Sequence, residues 1–139
     1  MSVEMILLPL FVEVILTFAL LFWLAPLRAR DFRSGLREDD IALREPNWSR
    51  PALQVQYSFS NQFELPVLFY VLTILAYVTH HAGTLFVVLA WVFVIFRLLQ
   101  AYVHVTNNKV RLRGIFFGIS ALALAIMWIV FIIQILTGT

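Results

Sequence analysis

The sequence predicts an all-α integral membrane protein whose single domain is a four-helix bundle. Of its 139 residues, 62% are hydrophobic and only 13% are charged. A soluble fold of this length cannot bury so much apolar surface, whereas lipid solvates it. The apolar residues fall into four stretches, each long enough to cross a hydrocarbon core of ~30 Å. Helices are the expected structure because they satisfy their own backbone hydrogen bonds in lipid.

The predicted helices account for most of this one domain, residues 1–139. They cover residues 5–27, 51–79, 85–104 and 115–136, with loops at 28–50 and 105–114. The first apolar run ends at Pro26 and Arg28. It is too long for a secretory signal peptide and lacks a basic segment before it, so we expect a retained helix.

Lysine and arginine predict the orientation of the bundle. All ten of these residues lie in the two loops or near the same side of the membrane, and the turn at 80–84 and both termini have none. The positive-inside rule therefore places the loops in the cytoplasm and both termini outside. Because the basic residues lie between apolar spans, the net charge of +2 does not indicate nucleic-acid binding.

Polar side chains follow one face of the second predicted helix and one face of the third. The stripes are Gln54, Tyr57, Asn61 and Glu64 on one helix, and Arg97, Gln100 and His104 on the other. Spacings of three and four residues keep each stripe on one helical face. The short turn makes the helices antiparallel neighbours, and counting ~1.5 Å per residue from it brings the stripes level. The predicted layers are Glu64 with Arg97, Asn61 with Gln100, and Tyr57 with His104.

These layers have two interpretations. One is a polar cleft for an anionic ligand that opens to the cytoplasm, with Lys109, Arg111 and Arg113 at its mouth. The other is a structural ion pair between Glu64 and Arg97 that locks two helices together. In either case Pro66 removes one helical hydrogen bond and predicts a kink in the second helix.

Glu13 is a carboxylate in the outer half of the first predicted helix. An ionisable group inside the bilayer costs ~2.5–3.5 kcal/mol on insertion scales, so it needs a partner or a function. It is either a structural residue or a proton-coupled transport site. No metal site is predicted, because the chain has no cysteine, and His80 and His81 are adjacent in a tight turn and face different ways.

Two segments resemble the MAPEG family, the membrane-associated proteins in eicosanoid and glutathione metabolism. The first is Asn61-Gln62-Phe63-Glu64-Leu65-Pro66, and the second runs from Arg97 to His104. The four helices and the long first loop match as well. The resemblance, to a bacterial-like member, implies a homotrimer in the inner membrane that binds glutathione between subunits. It also implies an enzyme, a glutathione-dependent transferase or peroxidase acting on a lipophilic small molecule.

The resemblance also assigns roles to individual residues. Asn61 and Glu64 resemble the family's glutathione-binding pair, and Arg97 resembles the arginine that opens its Arg-x-x-His-x-x-x-Tyr pattern. In this chain Gln100 stands at the histidine position and His104 at the tyrosine position. Arg113 falls where an arginine is proposed to stabilise the glutathione thiolate, and Arg111 is close enough to compete. The candidate catalytic residues are thus Arg113 and Arg111. The candidate glutathione-binding residues are Asn61, Glu64, Arg97, Gln100, His104 and Tyr57.

Two functions outside glutathione chemistry stay open. Tyr57 and Ser60 stand where the family's glutathione enzymes usually carry arginines. This departure leaves room for a non-catalytic relative that binds lipid or another anion. The second alternative is a small proton-coupled exporter of lipophilic cations that uses Glu13.

Overall fold

The computed structural model describes residues 2–44 and 46–139, and all regular structure in these ranges is helical. The helices are α1 (Val3–Arg33), α2 (Arg50–Asn61), α3 (Leu65–Val78), α4 (Thr84–Val105) and α5 (Val110–Thr137), with a 3-10 turn at Glu38–Asp40. Four segments are long and apolar enough to span a membrane, namely α1, α2 together with α3, α4, and α5. The predicted all-α class with four spans is confirmed.

The second span is broken between α2 and α3, although the sequence predicts one continuous helix over 51–79. Pro66 has no N–H to donate to the carbonyl of Gln62, and its ring disfavours helical geometry in the residue before it. The N–H groups of Gln62, Phe63 and Glu64 instead donate to carbonyls three residues earlier, at 3.0, 3.1 and 3.3 Å. The expected kink is therefore a full interruption at residues 62–64.

Two helices extend beyond their predicted ends, which shortens the loops predicted at 28–50 and 105–114. α1 continues through Pro26 to Arg33, beyond the end predicted at residue 27. Loss of one hydrogen bond is tolerated there, because the following leucine and arginines favour helix. α5 begins at Val110 and not at 115. Both differences have the same cause. The length of an apolar run indicates only the part of a helix that lies in lipid, whereas a helix with charged side chains can continue into water.

The end of the first loop is fixed to α1. Asp31 accepts hydrogen bonds from the N–H and the hydroxyl of Ser49, at 2.9 and 3.0 Å. Arg28 donates to the side chain of Gln56 at 2.8 Å, and its guanidinium lies 4.8 Å from the ring centre of Trp48. These contacts place the start of α2 against α1.

The apolar core lies in the half of the bundle nearest the turn between α3 and α4. Phe69 and Phe93 stack with their ring centres 4.8 Å apart, and both are fully buried. Ala76 and Ala90 lie in the same core, and their small side chains allow the helices close approach. α4 is central and packs against α1, α2 and α5. The buried polar residues of α4 therefore lie at the other end of the bundle.

Candidate functional site

A cleft of about 540 Å³ lies where α2 ends and α5 begins. Its lining residues are Tyr57, Ser60, Asn61, Phe63, Glu64, His104 and Arg113. They come from α2, the break, α4 and α5. The structure thus brings five of the predicted site residues together, namely Tyr57, Asn61, Glu64, His104 and Arg113.

The break in the second span turns Glu64 outward into this cleft. Glu64 precedes the first residue of α3, its backbone is not helical (φ −102°, ψ −105°), and its side chain is exposed. On a continuous helix the same side chain would follow the face defined by Tyr57 and Asn61. The predicted stripe therefore holds only as far as Asn61.

Arg97 does not line the cleft that Glu64 lines, so the two residues of this predicted layer do not share its wall. Arg97 is 1% exposed. Its Nη2 atom donates to the main-chain carbonyl oxygen of Asn61 at 2.9 Å. The guanidinium therefore binds the broken end of α2, while Glu64 faces outward. The predicted layer assumes a straight second helix, whereas the span is broken at residues 62–64.

Gln100 and Arg111 also lie outside the cleft. Gln100 is buried on α4, and within residues 2–44 and 46–139 its carbonyl oxygen has no hydrogen-bond partner. Arg111 is exposed on the first turn of α5. Of the two candidate catalytic arginines, only Arg113 faces the cleft.

A tight turn between α4 and α5 holds Arg113 in place. Asn108 adopts a left-handed backbone (φ 52°), which asparagine tolerates better than most residues. Its N–H donates to the carbonyl of Val103 at 2.7 Å, which completes the end of α4. Its side-chain oxygen accepts a bond from Nη1 of Arg113 at 2.6 Å. The turn therefore orients the guanidinium as well as reversing the chain.

The cleft combines opposite charges and hydrogen-bonding groups. Glu64 contributes a carboxylate, and Arg113 contributes a guanidinium that is always charged. The His104 side chain is largely buried at the wall, and Nδ1 of its ring has no partner in the described part of the chain. Tyr57, Ser60 and Asn61 add hydroxyl and amide groups. This arrangement suits a small zwitterion with amide bonds.

A second groove of about 650 Å³ adjoins the cleft and shares Tyr57 and Ser60 with it. Its apolar lining residues are Leu21, Leu24, Ile41, Pro46, Leu53 and Phe59. Arg28, Arg44, Trp48 and Gln56 complete its lining. Tryptophan and arginine beside apolar side chains are typical of the membrane–water interface. An apolar molecule in this groove would lie next to the polar cleft.

Three residues of the site were not predicted from sequence. Ser60 and Phe63 line the cleft, and Asn108 orients Arg113. The Asn107-Asn108 pair between two apolar helices is a turn signal from which the left-handed residue could have been found. No comparable signal marks Phe63, because its position follows from the break.

Comparison with known protein families gives one match that covers almost all of the described helices. The model of the MAPEG family matches residues 6–133, which is nearly the whole chain. Neither the curated proteins nor the solved structures gave a match. The matched region contains all four membrane-spanning segments except their outermost turns, and it contains every residue of the cleft. The chain therefore belongs to the MAPEG family.

Proposed function

We propose that this protein is a glutathione-dependent membrane transferase or peroxidase that acts on lipophilic electrophiles. The observation that carries the proposal is the cleft in which Glu64 and Arg113 face the same polar space. MAPEG membership supports it, since the family is associated with glutathione. We further propose that the protein is a homotrimer in a bacterial inner membrane.

Glutathione is a small peptide with one amino group, two carboxylates, two amides and a thiol. Glu64 would bind the amino group, and Asn61 and Ser60 would bond the amides. Tyr57 and His104 would contact the remaining polar groups. Arg97 would support Asn61 and would not bind glutathione directly, because its side chain is enclosed.

Arg113 is proposed to stabilise the thiolate. A free thiol has a pKa near ~8.5, so little thiolate exists at neutral pH. A neighbouring guanidinium favours the charged form and activates the nucleophile. The thiolate sulfur then forms a bond to the electrophilic carbon, the leaving group departs with the electron pair, and the thiol proton passes to solvent.

The adjoining groove is proposed to hold the lipophilic electrophile. Its apolar side chains favour such a molecule over water, and its shared wall with the cleft would place the electrophile near the sulfur. With the basic loops in the cytoplasm, as the positive-inside rule predicts, glutathione would enter from the cytosol and the electrophile from the bilayer. The exporter alternative gains no support from the cleft, since Glu13 does not line it.

Glutathione titration and a conjugation assay test the function directly. We expect the detergent-purified protein to bind glutathione with a saturable heat in calorimetry. We also expect it to conjugate glutathione to a chromogenic nitroaryl chloride, measured by absorbance. Binding without conjugation or peroxide reduction would favour a non-catalytic relative. The absence of saturable binding at millimolar glutathione would contradict the proposal.

Replacing Pro66 with alanine is expected to weaken glutathione binding by roughly tenfold. Alanine restores an N–H for the carbonyl of Gln62 and favours a continuous helix, which would move Glu64 from the position that the break gives it in the cleft wall. Calorimetry measures the change in affinity. Pro51→Ala is the matched control, because Pro51 lies in the first turn of α2, where proline breaks no helical bond. Equal affinity of the two variants would show that the break does not shape the site.

A further inference from the structure

The strongest unexplained feature outside the cleft is the buried carboxylate of Glu13 on α1. The side chain is 0% exposed. Within the described residues, neither of its oxygens has a hydrogen-bond partner. A carboxylate enclosed in a membrane-spanning bundle is costly unless an opposite charge offsets it.

Arg97 supplies that opposite charge. α1 and α4 pack together, and Glu13 on α1 and Arg97 on α4 are both enclosed in the bundle. Their opposite charges attract each other across the interior, although neither oxygen of Glu13 accepts a hydrogen bond in the described residues. A lone buried guanidinium would be as unfavourable as a lone buried carboxylate. Each residue therefore accounts for the presence of the other.

Arg97 also connects this charge pair to the wall of the cleft. The carbonyl oxygen of Asn61 accepts both the Nη2 donor of Arg97 at 2.9 Å and the N–H of Glu64 at 3.3 Å. That carbonyl belongs to the last residue of α2, where the helix has lost its regular hydrogen bonds. The Arg97 contact is thus a side-chain cap on a broken helix end, and the capped residue lines the cleft.

We infer that Glu13 is a positioning residue for the cleft: its carboxylate holds Arg97 against the carbonyl of Asn61, which fixes Asn61 and Glu64 in the cleft wall. This role rests on the proposed function, because Glu13 would act on glutathione binding through the side chain of Arg97. The link from Glu13 to the end of α2 does not itself require that glutathione is the ligand. It also gives Glu13 a role other than proton-coupled transport.

Amide hydrogen exchange in Glu13→Gln tests the link without any ligand. Glutamine keeps the shape and removes the charge, so we expect exchange at residues 62–64 to accelerate by roughly tenfold. Exchange in the core of α5 should stay as in the parent protein. Glu4→Gln is the matched control, since Glu4 is an exposed carboxylate on the same helix. Parent-like exchange at 62–64 in Glu13→Gln would overturn the inference.

The double variant Glu13→Gln/Arg97→Met separates positioning from simple stability and keeps the test valid if the single variant folds poorly. Removing both charges leaves no uncompensated ion, so the fold should recover. Methionine has no donor for the carbonyl of Asn61, so exchange at 62–64 should stay fast. Parent-like exchange in a stable double variant would overturn the inference and leave Glu13 with a purely structural role.

Glutathione kinetics then connect the link to the proposed function. In Glu13→Gln we expect KM for glutathione to rise by roughly tenfold with a smaller change in kcat, because a binding wall is loosened while Arg113 stays in place. Unchanged KM alongside faster exchange would overturn the extension to binding. A parent protein that neither binds nor conjugates glutathione would refute the proposed function, and the exchange experiment would still decide the role of Glu13.

Discussion

Replacing Arg113 with alanine is expected to lower kcat/KM for glutathione conjugation by roughly 100-fold, while glutathione binding changes little. The size follows from losing one charged group that stabilises the reacting atom, which typically costs ~10²–10³ in rate. Arg113 is the charged donor that faces the cleft, and Asn108 holds it there. A conjugation assay should show the lower kcat/KM, and calorimetry should show that glutathione binding is retained.

The thiolate itself provides a second readout for Arg113. Without the guanidinium, the pKa of the thiol of bound glutathione should rise toward its value in water. The thiolate absorbance should therefore appear at higher pH. Arg113→Lys keeps a positive charge and should retain part of the activity. Arg111→Ala is the matched control, because Arg111 is exposed and lies outside the cleft. A larger loss in Arg111→Ala than in Arg113→Ala would transfer the role to Arg111.

Replacing Arg97 with methionine is expected to lower the free energy of unfolding by an amount on the order of 3–5 kcal/mol. Methionine fills much of the same space but leaves the carboxylate of Glu13 enclosed without its counter-charge. It also removes the donor to the carbonyl of Asn61. Reversible denaturation in mixed detergent micelles measures the change.

Arg111→Met controls for the substitution itself. Arg111 is exposed, so its unfolding free energy should change by no more than ~0.5 kcal/mol. Adding Glu13→Gln to Arg97→Met should recover stability, because the remaining buried carboxylate is then gone. An Arg97→Met protein as stable as the Arg111→Met protein would show that the buried charges are not coupled.

The four spans were predictable because hydropathy is a local property of the chain. The lengths of the helices outside the lipid were not predictable. The arginine-rich turns after Pro26 are helical in water and have no apolar pattern that would mark them. The stripe of the second span was predictable through Asn61. Beyond Asn61, the direction of each side chain depends on the geometry of the break at 62–64. Pro66 indicates that a break is present, but the sequence does not define its geometry.

The choice between Arg111 and Arg113 needed the exact start of α5. Two residues on a helix point about 200° apart, so a start at Val110 and not at 115 decides which arginine faces the cleft. The association of Glu13 with Arg97 was also beyond the sequence. α1 is apolar on nearly all sides, so its pattern does not fix which face packs against α4.

The central claim is that the cleft between the broken end of α2 and the start of α5 binds glutathione. A structure of the protein in a lipid nanodisc at saturating glutathione tests it most directly. We predict density for the peptide against Glu64 and Asn61, with its sulfur near the guanidinium of Arg113. Glutathione density at another place on the protein, with this cleft empty, would contradict the account.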